Sequence, residues 1–282
     1  MRILITGIKG MLGRDLSAHL GPRHEVAGVD LPEVDITDLS LVQRTIHGAD
    51  FDAVLHTAAF TAVDDCEHRP DLAFQVNAQG TRNLALACRD ASLPLLYLST
   101  DYVFDGRKPA PYLEDDPPNP LSVYGRSKLE GERQVSELLP AFWIVRTSWL
   151  FGPYGKNFVR TILQRAQAGT PLRVVDDQVG APTYTMDLAE KLEQIVMKGG
   201  PGVYHVTNQG YCSWFEFARE ILRQAGLSHA SLSPIPTSDS DRPAVRPRNS
   251  RLAPARLESE ALGLLPPWQD ALRRYLAREL AA

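Results

Sequence analysis

The sequence predicts an α/β fold: a doubly wound parallel sheet with helices on both faces, followed by a smaller, loop-rich C-terminal part. Short apolar runs alternate with helical patterns from Met1 to Ser148, and strands joined by helices form parallel sheets with right-handed crossovers. After Phe151 the alternation becomes less regular. Pro, Ser and Arg then concentrate in residues 231–254. This composition predicts a long loop, and long loops in compact domains often bind ligands.

Local patterns define the elements of the first half. A short apolar run predicts a buried strand, and apolar residues at i, i+4 and i+8, such as Leu12, Leu16 and Leu20, predict a helix. Thr37 or Asp38 is the expected N-cap of the second helix, which ends before Gly48. The predicted elements, in chain order, are strand 1–6, a helix through 12–20, strand 25–30, helix 38–47, strand 52–59, helix 71–91, strand 94–100, helix 122–138 and strand 141–148.

The same patterns, more widely spaced, predict the elements of the second half. They are helix 156–168, strand 172–176, helix 187–198, strand 202–207, helix 213–225 and, after the long loop, helix 268–280. The sequence contains no internal repeat.

Composition limits the partners. The chain has 282 residues, 44% of them apolar and 23% charged, which is ordinary globular usage. The net charge of −4 predicts neither nucleic acid nor an anionic membrane as a partner. Three cysteines without metal-ligand spacing predict a protein of the reducing cytoplasm with no metal site of that kind. No apolar run approaches the ~20 residues that cross a bilayer, and the one after Met1 is too short for a signal peptide.

A glycine loop follows the first predicted strand. Gly7 allows a tight turn, Gly10 lets the backbone approach a pyrophosphate, and Gly13 lets the helix pack closely on the sheet. The N–H groups at the start of that helix are free to bind an anion. Asp30 ends the second strand and is placed to accept a hydrogen bond from an adenosine ribose. Glycines also serve ordinary turns, but the strand-to-helix position favours dinucleotide binding.

This loop suggests a division of the chain. Residues 1–152 are predicted to form a dinucleotide-binding domain, to which about 173–205 also contribute. Residues 153–282 are predicted to form mainly the substrate-binding part, which is discontinuous in sequence.

Tyr124 and Lys128 carry the predicted chemistry. They lie four residues apart on a helix and therefore on one face. A nearby ammonium lowers the pKa of a phenol by roughly 1–3 units, which suits a proton donor to a carbonyl or alcohol. Such a pair is also common on exposed helices. Thr100 favours the catalytic interpretation, because it ends the fourth strand at the edge where doubly wound sheets bind ligands. Asn77, which is unfavourable within a helix, also requires a local reason.

Longer segments resemble a known family. The GxxGxxG spacing resembles the extended short-chain dehydrogenase/reductase superfamily, whose members have Rossmann-like sheets. Within it, five segments resemble the dTDP-4-dehydrorhamnose reductases in the order of that family. They are STDYVFDG (99–106), PLSVYGRSKLEGE (120–132), RTSWLFGP (146–153), DQVGAPT (177–183) and RPRNSRL (246–252).

The resemblance implies an activity and a set of site residues. The activity is reduction of the C4 ketone of dTDP-4-dehydro-6-deoxy-L-mannose to dTDP-L-rhamnose with NADPH or NADH. Tyr124 would protonate the product alkoxide, and Lys128 would lower the pKa of Tyr124 and hold the nicotinamide ribose. The implied cofactor contacts are Gly7, Gly10, Met11, Leu12, Gly13, Asp30, Asp35, Ile36, Ala58, Ala59, Thr61, Tyr124 and Lys128. The implied substrate contacts are Thr100, Asp101, Trp149 and Arg246, although Trp149 could instead be a core residue and Arg246 part of an exposed cationic loop.

Cofactor choice and metal binding stay open at this point. Asp30 disfavours the 2′-phosphate of NADP, whereas Lys9 and Arg14 soften that preference. Some members of the family form homodimers through Mg²⁺ held by glutamates. Asp15 matches one of those positions, but Met186 stands where a second carboxylate is expected, and a thioether is a poor Mg²⁺ ligand. A homodimer is therefore a candidate assembly, whereas a role for Mg²⁺ is doubtful.

Two other functions remain. One is a nucleotide-sugar 4,6-dehydratase or epimerase on the same scaffold. A dehydratase usually carries Asp-Glu directly after the threonine, whereas Thr100 is followed by Asp101 and Tyr102. The other is a non-catalytic module similar to the regulatory subunit of methionine adenosyltransferase, which resembles the same family and can keep the Tyr–Lys pair.

Overall fold

A six-stranded parallel sheet forms the centre of the structure, a computed structural model that describes residues 1–279. The strands are β1 (Arg2–Thr6), β2 (Glu25–Val29), β3 (Ala53–His56), β4 (Leu95–Thr100), β5 (Phe142–Thr147), β6 (Leu150–Phe151), β7 (Leu172–Val175), β8 (Val179–Gly180), β9 (Thr183–Tyr184), β10 (Gly202–His205), β11 (Cys212–Ser213) and β12 (Leu232–Ile235). In the main sheet the order is β2-β1-β3-β4-β5-β10. The chain adds β2 on one side of β1 and the later strands on the other side, so the strand order reverses between β1 and β3. Ligands of doubly wound sheets bind at such a point.

Helices cover both faces of this sheet, which confirms the predicted fold class. The α-helices are α1 (Met11–Leu20), α2 (Leu39–His47), α3 (Val63–His68), α4 (Pro70–Phe74), α5 (Thr81–Asp90), α6 (Val123–Leu138), α7 (Phe158–Gln167), α8 (Thr185–Lys198), α9 (Trp214–Gln224), α10 (Ala255–Ser259) and α11 (Trp268–Glu279). Alternate residues of β1 enter different cores: Ile3 and Ile5 pack with α1 and α8, whereas Leu4 packs with α2 and α5.

The predicted helix over 71–91 is wrong in detail. The chain is already helical in α3 and α4, and a π-helix, Gln75–Gly80, separates α4 from α5. Asn77 lies in this π-helix and is 1% exposed. Short π-helical insertions in longer helices often occur at functional sites.

The second half forms its own core around α7, α9 and α11. A long loop was predicted over residues 231–254, and this prediction is wrong in part. The strand β12 lies within them and pairs in parallel with β7. Pro234 occurs within that strand, where the edge position tolerates a missing N–H. The last predicted helix is present as α11, and its final residue, Leu280, lies outside the described residues.

Of the two predicted N-cap candidates for the second helix, Thr37 and Asp38, the structure selects Asp38, and two further helices begin at capping serines. Asp38 caps α2, Ser122 caps α6, and Ser213 forms a capping box with Glu216 at the start of α9. Within residues 1–279, no helix is both long and apolar enough to cross a bilayer.

Candidate active site

One cavity of about 640 Å³ opens at the carboxyl edge of the main sheet. It contains every predicted cofactor and substrate residue except Arg246. Its lining comprises Gly7, Gly10, Met11, Leu12, Gly13, Val29, Asp30, Leu31, Val34, Asp35, Ile36, Thr57, Ala58, Ala59, Thr61, Val63, Val76, Leu98, Ser99, Thr100, Asp101, Tyr102, Tyr124, Lys128, Thr147, Ser148, Trp149, Leu150 and Trp214. The sequence therefore identified a group of residues that the fold brings together.

The glycine loop has the geometry that a dinucleotide requires. Gly7 has φ +74°, a left-handed conformation that favours glycine. A Cβ on Gly13 would lie 2.2 Å from the Gly7 carbonyl oxygen, so α1 can approach the loop this closely only without a side chain. The N-cap of α1, Gly10, makes no side-chain capping bond, which leaves the first N–H groups of the helix available for a phosphate.

Backbone N–H groups hold Asp30 at the other wall of the cavity. Lys9 N and Leu31 N donate to its two carboxylate oxygens at 2.9 and 2.8 Å. The Lys9 ammonium is occupied elsewhere, because it donates to Glu33 at 2.6 Å. Asp30 thus presents a fixed negative charge where an adenosine ribose would bind.

Hydrogen bonds fix the loop that carries Asp35 and Ile36, the two predicted adenine contacts. Asn83 donates to the carbonyl oxygens of Ile36 and Thr37, both at 3.0 Å. Asp35 accepts from the backbone N–H of Thr37 at 2.9 Å. These bonds fix the loop that carries Asp35 and Ile36 against the cavity.

Tyr124 and Lys128 both face the cavity from α6, yet the expected effect of Lys128 on the phenol is absent. Burial raises the pKa of Tyr124, and the hydroxyl of Thr100 opposes this rise. Burial also lowers the pKa of Lys128 to about 7, while Glu132 acts in the opposite direction. Lys128 Nζ donates to the Leu98 carbonyl oxygen at 2.7 Å. The predicted lowering of the Tyr124 pKa was therefore wrong, because spacing on a helix does not reveal the cost of burial.

A raised pKa nevertheless suits the reductive direction. A proton donor must carry its proton when substrate arrives, and the buried phenol of Tyr124 retains it throughout the neutral range. An alkoxide is a far stronger base than a phenolate, so the transfer does not require an acidic phenol.

Asn77 acts through the backbone. Its amide group accepts from Phe60 N at 2.8 Å and donates to Phe60 O at 3.0 Å. The same amide donates to Ser127 Oγ at 3.0 Å, between Tyr124 and Lys128 along α6. Asn77 thus joins the loop after β3 to the helix that carries the predicted catalytic pair.

Asp101 is a buried carboxyl group in the cavity wall. It is 2% exposed, and Thr100 Oγ1 donates to its Oδ1 at 3.0 Å. Burial raises the pKa of Asp101 to about 7, although the nearby hydroxyls of Ser250 and Thr100 act to lower it. Among the residues the structure describes, Asp101 Oδ2 and the hydroxyl of Thr147 are buried without a hydrogen-bond partner. Both side chains line the cavity and can therefore accept from a ligand.

We expect the variant Asp101→Asn to gain stability relative to the wild type as pH rises. The unfolded carboxyl loses its proton near its ordinary pKa of 3.8, whereas the folded one keeps it until about pH 7. Stability from the protonated carboxyl is therefore lost as pH rises through this interval. Between about pH 5 and 8 the difference in unfolding free energy should change by about 2–3 kcal/mol in favour of the variant. Thermal unfolding of both proteins measures it, and a difference independent of pH would contradict the assignment.

Trp149 lies at the β5 end of the cavity, two residues beyond the strand. Its φ of +48° is unusual for a bulky residue. Its indole stacks on that of Trp214, with centroids 3.6 Å apart and an angle of 11° between the planes. The side chain is half-buried and lines the cavity rather than belonging only to the core.

Arg246 is the one predicted site residue outside the cavity lining. It pairs with Asp64 at 3.0 Å, and Arg242 pairs with the same carboxylate at 3.0 Å. Arg246 also interacts with the phenol of Tyr102, which lines the cavity. The arginine therefore lies behind the cavity wall, held by Asp64, a contact that was not predicted.

Several residues of the cavity lining were not predicted, among them Thr147, Ser148 and Trp214. Thr147 ends β5 and Ser148 follows it, near Trp149, so the position of the strand was an available signal. Trp214 is the first residue of α9, immediately after a capping residue. An aromatic residue at a helix start gives no sequence signal for a site contributed by the other half of the chain.

The two positions considered for Mg²⁺, Asp15 and Met186, each contact a neighbouring side chain. Asp15 is buried, and Thr185 donates a hydrogen bond to it. Met186 is exposed, and its sulfur accepts from the hydroxyl of Tyr184 at 2.9 Å. Within residues 1–279, no cluster of three or more His, Cys, Asp or Glu side chains is arranged to hold a metal ion.

Comparison with known proteins agrees with this geometry. The family model described as RmlD substrate binding domain matches residues 1–281. A dTDP-4-dehydrorhamnose reductase of Streptomyces griseus is 42% identical over 278 residues, 96% of this chain and 91% of that protein. A dTDP-4-dehydrorhamnose reductase structure from Clostridium acetobutylicum is 40% identical, with TM-score 0.96 over 99% of this chain and all of that one. The Bacillus anthracis enzyme in complex with NADP is 38% identical, with TM-score 0.94 over 98% and 99% of the two chains.

The parallel sheet, the glycine loop and the cavity with its Tyr–Lys helix define a Rossmann-like oxidoreductase of the short-chain dehydrogenase/reductase superfamily. Within that class, the chain belongs to the RmlD family, that of the dTDP-4-dehydrorhamnose reductases. The membership predicted from the five sequence segments is thereby confirmed.

Proposed function

We propose that this protein reduces the C4 ketone of dTDP-4-dehydro-6-deoxy-L-mannose to dTDP-L-rhamnose with a reduced nicotinamide dinucleotide. One observation carries the proposal: Tyr124, Thr100 and Lys128 line the same cavity as the glycine loop. A bound dinucleotide and a proton donor would therefore meet there. The glycine loop also fits a dinucleotide. A Cβ on Gly13 would collide with the loop, so the start of α1 can lie this close to it only because Gly13 has no side chain.

The residues divide the reaction between them. The dinucleotide, when bound, supplies the hydride that C4 receives. Tyr124 gives its phenolic proton to the oxygen at C4, so the ketone becomes an alcohol and the phenol becomes a phenolate. Thr100, whose hydroxyl lowers the pKa of Tyr124, stabilises that phenolate by turning its O–H from Asp101 to the phenolate oxygen. Lys128 is held by Leu98 on the cavity side of α6 and supplies a donor for the nicotinamide ribose.

The two parts of the chain have different roles in this proposal. Residues 1–152, together with α8 and β10, bind the dinucleotide, since β10 completes the main sheet and α8 packs on α1. Residues from 153 onward mainly bind the nucleotide sugar. Arg246 is released from Asp64 to pair with the substrate diphosphate, an exchange of one anion for another.

We expect Asp30 to limit the use of NADPH. Its fixed carboxylate would face a 2′-phosphate, and the Lys9 ammonium that could offset it is paired with Glu33. The variant Asp30→Asn should increase the ratio of kcat/KM for NADPH to that for NADH about fivefold, because one like-charge contact near the surface corresponds to about 1 kcal/mol. Steady-state kinetics with both cofactors measures the ratio. Asp71→Asn removes an exposed carboxylate outside the cavity and should leave the ratio unchanged. An unchanged ratio in Asp30→Asn would contradict the assignment.

The test of the function is the stoichiometry of cofactor oxidation. A reductase consumes one reduced cofactor for each keto-sugar, whereas an epimerase or dehydratase restores its own. We expect stoichiometric oxidation when the protein is mixed with dTDP-4-dehydro-6-deoxy-L-mannose, and slower oxidation with other nucleotide keto-sugars of a panel. Product formation without net oxidation would favour the epimerase or dehydratase. Complete inertness of the wild type and of Tyr124→Phe would favour the non-catalytic regulatory module.

A homodimer stays a prediction.

A further inference from the structure

The two stacked tryptophans lie on the substrate side of the reacting centre. Gly7 follows β1, Thr100 ends β4 and Trp149 follows β5. Strands lie about 4.8 Å apart, so three intervals put the Trp149 end of the cavity roughly 14 Å from the glycine loop along the sheet edge. Thr100 lies between them. A dinucleotide that enters from the glycine loop and reaches Thr100 leaves the Trp149 end for the second ligand.

The left-handed backbone of Trp149 needs support from neighbouring residues. A left-handed conformation at a bulky residue is strained and persists only where the surroundings impose it. Two contacts do so. Trp214 stacks on the indole, and Gly180 approaches it so closely that a Cβ there would lie 2.6 Å from Trp149 Cε2.

Trp214 is itself rigidly supported. It directly follows β11, which pairs with β8 in the register Cys212 to Gly180. The capping box at Ser213 fixes the first turn of α9, with Ser213 N donating to Glu216 at 2.8 Å. Phe158 packs against the Trp214 ring with centroids 4.6 Å apart. The strand that carries Gly180 and the helix that carries Trp214 therefore belong to one paired unit.

We propose that Trp214 is a positioning residue for substrate binding: its stack on Trp149 holds that indole where it forms the aromatic wall for the sugar of a nucleotide sugar. The proposal rests on the proposed function. Trp214 acts through Trp149, so its removal changes how tightly the sugar binds and leaves proton and hydride transfer unchanged once the sugar is bound.

Kinetics and product binding test this assignment together. For Trp214→Ala we expect the KM for the keto-sugar and the Kd for dTDP-L-rhamnose, by calorimetry, to rise about 5- to 10-fold, as expected for the loss of one aromatic pair. The kcat and the KM for the cofactor should change less than about twofold, the pattern of a lost binding contact. Trp214→Phe, which keeps an aromatic face, should recover most of the affinity.

A second variant displaces Trp149 without touching Trp214. Gly180→Ala places a methyl group against the indole, and Gly180 has no left-handed conformation that would add backbone strain. It should raise the same KM and Kd. In a Trp149→Ala background Trp214→Ala should have no further effect, because it acts through that ring. Gly180→Ala is not used in that background, because its methyl group would also lie 2.8 Å from Ser250 Oγ.

Trp268→Phe is the matched control. Trp268 is 4% exposed in the same core, and its indole N–H has no partner among the described residues, so phenylalanine removes no hydrogen bond. It should leave KM and Kd unchanged. The exciton couplet of the stacked indoles in circular dichroism should disappear in Trp214→Phe and persist in Trp268→Phe.

Wild-type KM and Kd in both Trp214→Ala and Gly180→Ala would overturn the proposal while the reductase function stands. Additive effects of Trp214→Ala and Trp149→Ala would overturn it as well. A wild type that neither reduces the keto-sugar nor binds dTDP-L-rhamnose would contradict both this proposal and the proposed function.

Discussion

Replacing Tyr124 with Phe is expected to lower kcat for the keto-sugar by about 10²–10⁴-fold, the usual contribution of a positioned general acid. The phenol is buried in the cavity wall beside Thr100 and retains its proton through the neutral range. Phenylalanine keeps the ring, whose edge-to-face contact with Tyr102 has centroids 5.7 Å apart. The KM values for both ligands should therefore change little. Stopped-flow and steady-state measurements of cofactor oxidation give kcat and KM.

Tyr211→Phe is the control for this substitution. It also removes one tyrosine hydroxyl, which donates to the Leu252 carbonyl oxygen at 2.9 Å, but Tyr211 does not line the cavity. Its kcat should match that of the wild type. A Tyr124→Phe enzyme with kcat within a factor of about ten of the wild type would show that the proton comes from another group.

Replacing Arg146 with Met is expected to destabilise the fold by about 3–5 kcal/mol, because it leaves a buried carboxylate without its cation. Arg146 on β5 and Glu132 on α6 are each 4% exposed. The guanidinium donates to the carboxylate at 2.9 and 2.7 Å, and Ser99 donates to it at 2.5 Å. Urea unfolding monitored by circular dichroism measures the loss.

Two variants show whether the loss comes from the unpaired charge. Adding Glu132→Leu to Arg146→Met should recover most of the stability, since replacing both partners of a buried pair by apolar residues is often neutral. Arg133→Met breaks the exposed pair with Glu130 on the same helix and should cost less than about 1 kcal/mol. A double variant no more stable than Arg146→Met would indicate that packing, rather than the isolated carboxylate, explains the loss.

The buried pair also supports the active site. Glu132 lies one helical turn beyond Lys128 on α6 and opposes the fall of its pKa. Ser99, which donates to Glu132, precedes Thr100 on β4. The ion pair therefore ties the strand that carries Thr100 to the helix that carries the predicted catalytic pair.

The main elements of the fold could be predicted because they depend on local patterns. The strands of the central sheet are apolar runs bounded by breakers, and the side chains of Asp38 and Ser122 cap helices where the sequence places them. The strand β12 was missed because its pairing with β7 is a tertiary contact made by a segment rich in Pro and Ser. The π-helix at Asn77 was missed as well. The side-chain amide of Asn77 accepts a hydrogen bond from Phe60 N, a tertiary contact that the local pattern does not reveal.

The site shows the same limit. The strand ends and the resemblance to a family placed Gly7, Thr100 and Tyr124 in one group, and the cavity contains all three. The direction of the Tyr124 pKa shift could not be predicted, because it depends on burial by several elements. Trp214 could not be predicted either, since only the folded chain brings the start of α9 against the residue after β5.

The most direct measurement follows a deuterium label from the nicotinamide C4 of the reduced cofactor into the sugar. Our expectation is that each cofactor oxidised delivers one deuterium to C4 of dTDP-L-rhamnose, that this transfer is slowed in Tyr124→Phe, and that it persists in Tyr211→Phe. Conversion of the keto-sugar with no label at C4, or label transfer at an equal rate in Tyr124→Phe, would contradict it.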